Sequence, residues 1–441
     1  MAFFLKGVRV PHRKHTVGSP ALRIPTPKSV TIPMSMHIGA PATNVVKVGD
    51  NVFVGTLIGE ASGYVSSPVY SSVSGRVTKI VNLMLASGNT VPAVVIESDG
   101  KDELDPSITP PEPSTLCDFI EAVKKSGIVG LGGAGFPTHV KLNVEPERVD
   151  ELIINGAECE PYITSDSYTM TDRVNYLECG INALKKFLGV KRIVLGIEEN
   201  KKEAIASMKA LSSRIEGMEI KVLPSVYPQG GEKVLIYHTV KKTVPSGKLP
   251  IDVGCIVINC TTLAAIGKYL CDGIPLVEKC ITGDGGAVKE PKNIIAPIGS
   301  PVSYLFEYCG GLACEPEKIL FGGPMMGWSI PDIDSPVVKT TNAVLALTAN
   351  EAKIPKTTAC IRCGSCTNNC PFGLAAAEIL RAYEKKDVSR LFALSVNSCM
   401  ECGCCSFVCP ANRPLVQTNK LAKALLKQER AKEAAKNGKN A

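Results

Sequence analysis

Long apolar segments are missing from this chain of 441 residues. No stretch reaches the roughly 18 consecutive apolar residues that a membrane-spanning helix needs. The first seven residues also lack the charged beginning and apolar centre of a secretory signal peptide. We therefore expect a cytoplasmic protein with no transmembrane segment of its own, although such a protein can still lie against a membrane-bound partner.

Aromatic residues are few, at 5% of the chain with a single tryptophan, and the formal net charge is a modest +7. The sequence contains no basic stripe with interleaved aromatic residues, so we expect no nucleic-acid partner. With 45% hydrophobic and 21% charged residues, the composition is typical of a globular protein rather than a disordered one. The length predicts three or four domains.

Cysteine, by contrast, is plentiful, and eight of the 18 cysteines form two copies of one motif near the end of the chain. Each copy reads C-x2-C-x2-C-x3-C-P, the bacterial pattern for the ligands of an iron–sulfur cluster. In two-cluster ferredoxins the fourth cysteine of each motif ligates the other cluster. We therefore predict two [4Fe–4S] clusters with crossed ligands: Cys360, Cys363, Cys366 and Cys409 for one, and Cys399, Cys402, Cys405 and Cys370 for the other.

Zinc sites and disulfides are the alternative interpretations of these eight cysteines. Zinc needs only four ligands and typically pairs two short C-x2-C units across a longer gap. A triple spacing that is followed by proline, and that occurs twice, argues against zinc. The other ten cysteines are scattered, and we interpret them as reduced, mostly buried thiols. The cysteine pattern thus predicts an electron carrier.

Composition divides the chain into five segments. Short Val-, Ile-, Pro- and Gly-rich runs predict a β domain over 1–105, and alternating strand and helix patterns predict an α/β domain over 114–272. We expect a small sheet domain over 276–348 and a cluster domain with helices between its two motifs over 355–418. A Lys-rich tail over 419–441 is predicted to be a solvated helix.

The first domain contains the runs Val46-Lys-Val-Gly-Asp50, Ser67-Pro-Val69 and Val73-Ser-Gly75-Arg-Val77. In this order they resemble the lipoyl and biotinyl carrier domains, which are small β-sandwiches. Such carriers present a modified lysine at a hairpin tip, but the matching tip here, residues 71–75, holds no lysine. We therefore expect a docking module rather than a swinging arm.

A candidate phosphate site lies in the segment Gly130-Leu-Gly-Gly-Ala-Gly135-Phe-Pro-Thr-His-Val-Lys141. Clustered glycines let backbone N–H groups approach a phosphate, and the start of a following helix favours its negative charge. The candidate residues are Gly130, Gly132, Gly133, Gly135 and Lys141. The dinucleotide fingerprint requires a strand before the glycines, whereas a helix is predicted there, so a flexible turn is the alternative for this segment alone.

Three further polar segments follow predicted strands or begin predicted helices. Ligands of open α/β sheets bind at the carboxyl ends of the strands, so these segments are expected to lie close to the glycine-rich segment. Each one alone is equally consistent with a turn or a helix cap. The candidate residues are Asn155, Glu158, Glu160, Tyr227, Glu232, Asn259 and Thr262.

Taken in order, the four segments resemble the FMN- and NADH-binding subunit of respiratory complex I and the matching part of NAD-linked hydrogenases. The family's motifs are G-R-G-G-A-G-F-P, a strand ending in D-E-S-E-P, then Y-x-x-G-E-E, then N-x-E-T. This chain departs from them at Leu131, where the family has arginine, and at Lys233, where it has the second glutamate of Y-x-x-G-E-E. The second departure leaves the contacts on the nicotinamide side open.

The resemblance implies a role for each matching residue. The glycine loop and Lys141 would contact the cofactor phosphates, and Glu160 and Glu232, with Tyr227 in the same motif, would lie near NADH. FMN would be held by Asn155, Glu158, Asn259 and Thr262. Acidic residues beside the ribose favour NAD over NADP. No catalytic side chain is implied, because hydride transfer to a flavin needs no general base.

The complete domain order resembles the C subunit of the Rnf complexes, which are ion-translocating ferredoxin:NAD oxidoreductases. The opening Phe4-Leu-Lys-Gly7-Val-Arg-Val-Pro11-His-Arg-Lys14 and the run Gly322-Gly-Pro-Met-Met-Gly327 also fit that family. The implied fold is multidomain α/β. It has an N-terminal lipoyl-like barrel-sandwich β domain, a Rossmann-like α/β FMN domain, a small β-grasp-like domain and a C-terminal helical two-cluster ferredoxin domain.

The implied function is electron transfer between ferredoxin and NAD(H) through FMN and two [4Fe–4S] clusters, coupled to translocation of Na⁺ or H⁺ by membrane partners. The chain would be a peripheral protein at the cytoplasmic face of the cell membrane. It would bind integral-membrane and other subunits, and ferredoxin would reach it through one of them. The alternatives are a cobalamin reductase-like enzyme, disfavoured by the N-terminal position of the sandwich, and an electron relay without NAD binding, disfavoured by Glu160 and Glu232.

Overall fold

The computed structural model of the protein describes residues 6–437, which fold into four units packed against one another. Phe4 and Leu5 of the predicted opening motif lie outside the described residues, as do residues 438–441 of the Lys-rich tail. Within residues 6–437 no helix is long and apolar enough to cross a membrane.

The first unit is a sandwich of two small antiparallel sheets. The strands of the larger sheet are, in spatial order, Ser29–Pro33, Thr90–Ser98, Gly75–Met84 and Asn51–Val52. The strands of the smaller sheet are Thr43–Asn44, Leu57–Glu60 and Val69–Tyr70. Alternating apolar side chains such as Ile32, Val94 and Ile96 fill the space between the sheets and are fully buried.

The hairpin tip of the sandwich is buried against the rest of the chain. Ser71, Val73 and Ser74 are almost fully covered, and the Ser72 hydroxyl donates to the backbone carbonyl of Ile298 in the third unit. The tip that carries a modified lysine in lipoyl-type domains is therefore an internal docking contact here.

The second unit is built on a four-stranded parallel sheet. Its strands, in spatial order, are Met218–Leu223, Arg192–Glu198, Glu151–Gly156 and Cys255–Asn259. The two central strands are almost wholly buried apolar runs, as expected for a parallel sheet covered on both faces. The surrounding helices are Leu116–Lys125, Thr138–Leu142, Ser165–Asp172, Val174–Leu188, Lys202–Ser212, Glu232–Val240 and Cys260–Asp272, with short 3-10 turns at Pro146–Arg148 and Pro250–Val253.

Local sequence sets the ends of these helices. Thr115 and Asp118 form a reciprocal capping box at the start of Leu116–Lys125, so the first turn has its N–H groups satisfied. Gly189 and Gly273 end their helices in the left-handed conformation that glycine adopts without steric cost. The strand Glu151–Gly156 pairs with Cys255–Asn259 so that Asn155 and Asn259 are direct neighbours.

The third unit is a six-stranded mixed sheet. In spatial order its strands are Ala21–Arg23, Lys292–Pro297, Glu278–Asp284, Ala343–Leu347, Lys318–Phe321 and Trp328–Ser329, and its helices are Val302–Tyr308 and Ala349–Ala352. The first strand comes from the beginning of the chain, and Ile24 packs in the core of this sheet. The prediction that residues 1–105 form one sandwich unit therefore differs from the structure for residues 6–24, which we call the amino-terminal strap.

The fourth unit is helical, as predicted for the cysteine-rich region. Its helices are Ser365–Asn368, Ala376–Glu384, Val388–Ala393, Cys404–Phe407 and Leu415–Asn437, with a 3-10 turn at Val396–Ser398. Ile379, Leu391, Ala422 and Leu426 form its apolar core. The last helix begins inside this core, so the structure shows no break at the predicted boundary between residues 418 and 419.

Lys339 joins three of the units from a fully buried position. Its ammonium group donates to the Ser67 hydroxyl at 3.1 Å and to the carbonyls of Pro68 at 2.6 Å and Gly127 at 2.7 Å. Desolvation lowers the pKa of Lys339 from 10.5 to about 7.

This burial predicts a pH-dependent stability difference. Between the lowered folded pKa and the ordinary unfolded one, the unfolded chain binds the extra proton, so the contribution of Lys339 to stability rises with pH through this range. The thermal midpoint of the wild type minus that of Lys339→Met should therefore increase between about pH 7 and about pH 9. Lys28→Met, at an exposed lysine, should show no such trend. A Lys339→Met difference that stays constant with pH contradicts the assignment.

Candidate functional site

The glycine loop, Gly130–Gly135, lies against the start of the helix Cys260–Asp272. The backbone N–H of Leu131 donates to the Thr262 hydroxyl at 2.9 Å. Asn259 caps the helix, because its side-chain oxygen accepts from the N–H groups of Thr261 and Thr262 at 2.9 and 3.1 Å. A Cβ atom on Gly132 would lie 2.7 Å from the Asn259 amide nitrogen, so only glycine allows this approach.

Space remains beside the loop. A Cβ atom on Gly133 would meet nothing within 4 Å, and Gly135 adopts a φ of +69°, which glycine accepts readily. The loop therefore combines an open backbone position with a nearby helix start, two features that suit the phosphate of a flavin nucleotide.

Asn155 connects the central strand to the predicted Tyr-Pro-Gln-Gly-Gly-Glu segment. Its amide nitrogen donates to the carbonyl of Gly230 at 2.9 Å, and its side-chain oxygen accepts from the N–H of Ala157 at 3.1 Å. Because Asn155 is in register with Asn259, the carboxyl ends of both strands and the glycine loop meet at one edge of the sheet.

Buried charges lie at the same edge. The Glu158 carboxylate pairs with Lys201 at 2.5 Å, with both side chains only 4% exposed, and it also accepts from the N–H of Asp166 at 2.7 Å. The Asp166 carboxylate accepts from the Asn259 amide at 2.8 Å and from the Thr261 hydroxyl at 2.6 Å. Burial raises the pKa of Asp166, and the neighbouring Glu158 raises it further.

Two of these residues were missed from the sequence. Asp166 ends the segment that contains Glu158 and Glu160, and Lys201 follows the strand Arg192–Glu198. The rule that ligand sites gather at the carboxyl ends of parallel strands could have identified Lys201. Nothing in the local pattern distinguishes Asp166 from an ordinary residue in the first turn of a helix.

Glu160 lies between the second and third units. Its carboxylate accepts from the backbone N–H groups of Met325 and Met326 at 3.1 and 2.9 Å. Desolvation raises the pKa of Glu160 to about 7, although these two hydrogen bonds oppose the shift. A Cβ atom on Gly323 would lie 2.1 Å from this carboxylate, which explains the glycine at that position. In this structure Glu160 holds the Gly322–Gly327 loop in place, and part of its acceptor capacity remains free.

Lys141 and Glu232 are paired with each other. The Lys141 ammonium lies 2.8 Å from the Glu232 carboxylate and 3.0 Å from the carbonyl of Val257. Both side chains are partly exposed, at 35% and 40%, so the ion pair can open to a ligand at small cost. The resemblance assigned Lys141 to a cofactor phosphate and Glu232 to the NADH side, and the structure pairs the two side chains.

The eight motif cysteines fall into two groups of four, each surrounding one cavity. The exposed thiol set consists of Cys360, Cys363, Cys366 and Cys409. The buried thiol set consists of Cys370, Cys399, Cys402 and Cys405. In each group the fourth cysteine comes from the other motif, which is the crossed arrangement proposed from the spacing.

The donor chemistry of both groups suits an iron–sulfur cluster. Four motif thiols line each cavity, and thiolates are the usual ligands of a [4Fe–4S] cluster. Cys404 also lines the second cavity, but its thiol donates to the backbone carbonyl of Tyr227. Within residues 6–437 no three His, Cys, Asp or Glu side chains are close enough together to hold a single metal ion. The preference for a cluster over zinc rests on the C-x2-C-x2-C-x3-C-P spacing, which occurs twice.

Tyr227 occupies a place different from the one implied by resemblance. Its side chain is 2% exposed, and its hydroxyl donates to the carbonyl of Cys402 at 2.7 Å. On the other side, its backbone N–H and carbonyl pair with Val8 of the amino-terminal strap. The bulky ring is thus enclosed where the second unit meets the buried thiol set, so Tyr227 joins these parts rather than presenting its side chain to a cofactor.

The crossed arrangement predicts which cluster a single substitution damages. Cys370→Ser should lower the iron content by about four atoms by disturbing the cluster of the buried thiol set, although Cys370 belongs to the first motif. The measurement is iron analysis together with electron paramagnetic resonance of the reduced protein. Cys117→Ser, at an exposed cysteine outside both sets, should leave both signals intact. Loss of the signal from the exposed thiol set in Cys370→Ser, with the other signal retained, would show uncrossed ligation.

Family models match four parts of the chain. They are described as the RnfC barrel sandwich hybrid domain over residues 2–101, the Nuo51 FMN-binding domain over 123–268, the SLBB domain over 284–329 and the 4Fe-4S dicluster domain over 356–413. These matches agree with the sandwich, the parallel-sheet unit and the cluster unit described above.

Curated relatives match nearly the whole chain. The C subunit of the Na(+)-translocating ferredoxin:NAD(+) oxidoreductase complex of Acetobacterium woodii is 42% identical over 436 residues, covering 97% of this chain and 98% of the relative. The C subunit of the proton-translocating complex of Clostridium ljungdahlii is 42% identical and covers 82% and 80%. The C subunit of the ion-translocating oxidoreductase complex of Rhodobacter capsulatus is 39% identical and covers 93% and 80%.

Among solved structures, an NAD+-reducing [NiFe]-hydrogenase in its H2-reduced state is similar with a TM-score of 0.49 and 19% identity, covering 71% of this chain and 61% of that one. The curated relatives are far more similar. Because their identity extends over both the parallel-sheet unit and the cluster unit, the chain belongs to the family of C subunits of the ion-translocating ferredoxin:NAD(+) oxidoreductase complexes.

Proposed function

We propose that this chain is the subunit that exchanges electrons with NAD(H) in a membrane-bound complex coupling electron transfer between ferredoxin and NAD to ion translocation. Family membership supports this function, and one structural observation carries it. The buried thiol set is packed directly against the second unit through the Tyr227–Cys402 hydrogen bond. The unit that would hold the nucleotide and the thiols that would hold a cluster are thus in direct contact.

The assignment of cofactors follows from the donor groups. The glycine loop, Asn155, Asn259 and Thr262 would hold FMN, and the two thiol sets would hold the [4Fe–4S] clusters. FMN supplies the chemistry that converts a two-electron hydride from NADH into single electrons that clusters can carry. The protein supplies position: backbone N–H groups for the phosphate, and burial that excludes water from the contact with the buried thiol set.

The NAD(H) side is assigned to Glu160 and to the Lys141–Glu232 pair. Glu160 and Glu232 would accept hydrogen bonds from ribose hydroxyls, and Lys141, once released from Glu232, would contact a phosphate. Glu158 would have a different role, because its carboxylate already accepts from Lys201, from the N–H of Asp166 and from the hydroxyls of Ser165 and Ser167. Glu158 is connected to the Asn259 helix start through Asp166, whose carboxylate accepts from the Asn259 amide.

The order of the two clusters follows from exposure. The buried thiol set would take the cluster nearer FMN, since Cys402 contacts Tyr227 and a Cβ atom on Gly231 would lie 2.3 Å from the end of Met400. The exposed thiol set, in which Cys360 and Cys363 are open to solvent, would take the cluster that meets a partner subunit. Electrons would pass between NAD(H) and the partner through both.

Finer features of the architecture belong to the same proposal. We assign the second unit, 114–272, as a Rossmann-like FMN domain and the third, 276–348, as β-grasp-like. The fourth, 355–418, is assigned as a helical ferredoxin domain that continues into the tail helix. The subunit would lie at the cytoplasmic face of the cell membrane, held there by integral-membrane subunits.

Anaerobic addition of NADH tests the function. The reconstituted protein should show flavin absorbance and contain about eight iron atoms, and NADH should bleach the flavin band and then the cluster absorbance. A protein that holds both clusters and flavin but is not bleached by NADH would instead be an electron relay without an NAD site.

Glu160→Gln should weaken NADH use while both clusters stay loaded. The amide nitrogen can only donate, so it would face a backbone N–H of Met325 or Met326 and release one side of the loop. We expect a rise in KM for NADH of about tenfold, or ~1.4 kcal/mol. Glu147→Gln, at an exposed position of the same domain, is the matched control. An unchanged KM in Glu160→Gln would remove Glu160 from the NADH site.

A further inference from the structure

The amino-terminal strap runs along the segment that contains the two acidic site residues. We call that segment, Glu158–Ile163, the acidic turn. The backbone N–H of Tyr162 donates to the carbonyl of His12 at 2.9 Å, and the Arg13 guanidinium donates to the Tyr162 hydroxyl at 2.7 Å. The hydroxyls of Thr16 and Thr164 lie 2.5 Å apart just beyond it. Successive residues of the strap thus make hydrogen bonds to the acidic turn and to the residue just after it.

Lys14 makes the central contact between them. Its ammonium group donates three hydrogen bonds to backbone carbonyls, those of Glu158 at 2.9 Å, Glu160 at 3.0 Å and Ile163 at 2.5 Å. An ammonium group has three donors and no acceptor, so all of its hydrogen-bonding capacity is used on this one turn. The carboxylates of Glu158 and Glu160 take no part in these contacts.

The acidic turn needs such an anchor. Tyr162 adopts a φ of +71°, a left-handed conformation that is costly for a residue with a side chain and persists only when its surroundings hold it. The turn also leaves three carbonyls pointing to one place, where their dipoles would repel one another without a cation. Burial lowers the pKa of Lys14 to about 8, consistent with an ammonium group enclosed by the protein.

We propose that Lys14 is a positioning residue for nicotinamide nucleotide binding, and that it acts by fixing the backbone of the acidic turn. The inference rests on the proposed function, because it assumes that Glu160 lies at the NAD(H) site. Lys14 itself does not touch the nucleotide. Its three hydrogen bonds set the direction in which Glu160 leaves the turn, and Glu160 in turn holds the loop Gly322–Gly327.

The geometry is specific to lysine. Methionine has a similar length and apolar stem but no donor, so Lys14→Met leaves three inward carbonyls without a partner. Arginine keeps the charge, but its donors lie in a flat fork and cannot converge from one atom on three carbonyls. Both substitutions should therefore loosen the turn, for different reasons.

The test is binding of NAD+ to the oxidised holoprotein by isothermal titration calorimetry, which involves no turnover. Lys14→Met should raise the Kd about tenfold, and Lys14→Arg should show the same loss within about twofold. Iron and flavin contents should match the wild type in both variants. Lys47→Met, at an exposed lysine of the sandwich, is the control and should bind as the wild type does.

The outcomes separate the two proposals. If the wild type itself does not bind NAD+, the proposed function fails whatever the variants do. If the wild type binds and both Lys14 variants bind equally well, the positioning role is overturned. Wild-type affinity in Lys14→Arg alone would show that charge suffices, and would also overturn it. Should Lys14→Met fail to accumulate as folded protein, the Lys14→Arg measurement decides.

Discussion

The contact between Tyr227 and the buried thiol set is the constraint on which the rest of the arrangement depends. The hydroxyl of a fully enclosed tyrosine donates to the carbonyl of Cys402, so the loop that carries this cysteine is fixed to the second unit. A buried tyrosine hydroxyl without a partner would cost free energy, and this bond removes that cost. Gly403, at a φ of +83°, lets the same loop approach the carbonyl of Met325 in the third unit. Three units therefore meet beside one set of thiols.

Buried charge is the second theme, and three of the buried charges near the site have specific partners. Glu158 is paired with Lys201, Asp166 accepts from Asn259 and Thr261, and Lys14 donates to three carbonyls. Buried ion pairs contribute little net stability, but removing one partner leaves an uncompensated charge. These contacts fix the positions of the buried polar side chains at the edge of the sheet.

Much of this could be predicted from the sequence where a local pattern determines the outcome. The alternation of strands and helices over 114–272 was predicted, and the structure has it. The grouping of Cys370 with the second motif was also proposed from spacing alone. The glycine loop and the strand-end asparagines were identified because their chemistry depends on residue type and on position within an α/β sheet.

The remainder depends on contacts between distant parts of the chain. Residues 6–24 were predicted as part of the sandwich. In the structure Ala21–Arg23 instead forms the edge of the sheet of the third unit, where it pairs in parallel with Lys292–Pro297. Tyr227 was assigned to a cofactor by resemblance, whereas its burial follows from the docking of the cluster unit.

The central claim is that electrons pass between the nucleotide site and a partner through the buried thiol set and then the exposed one. Rapid mixing with NADH under anaerobic conditions, followed by freeze-quench electron paramagnetic resonance, tests it in Cys363→Ser and Cys402→Ser, which disturb one cluster each. In Cys363→Ser the cluster of the buried thiol set should be reduced by NADH at the wild-type rate. In Cys402→Ser the flavin should still bleach. Reduction of the cluster of the exposed thiol set should slow by at least about a hundredfold, which corresponds to ~2.7 kcal/mol in activation free energy. Reduction of the exposed cluster at an unchanged rate in Cys402→Ser would contradict the account.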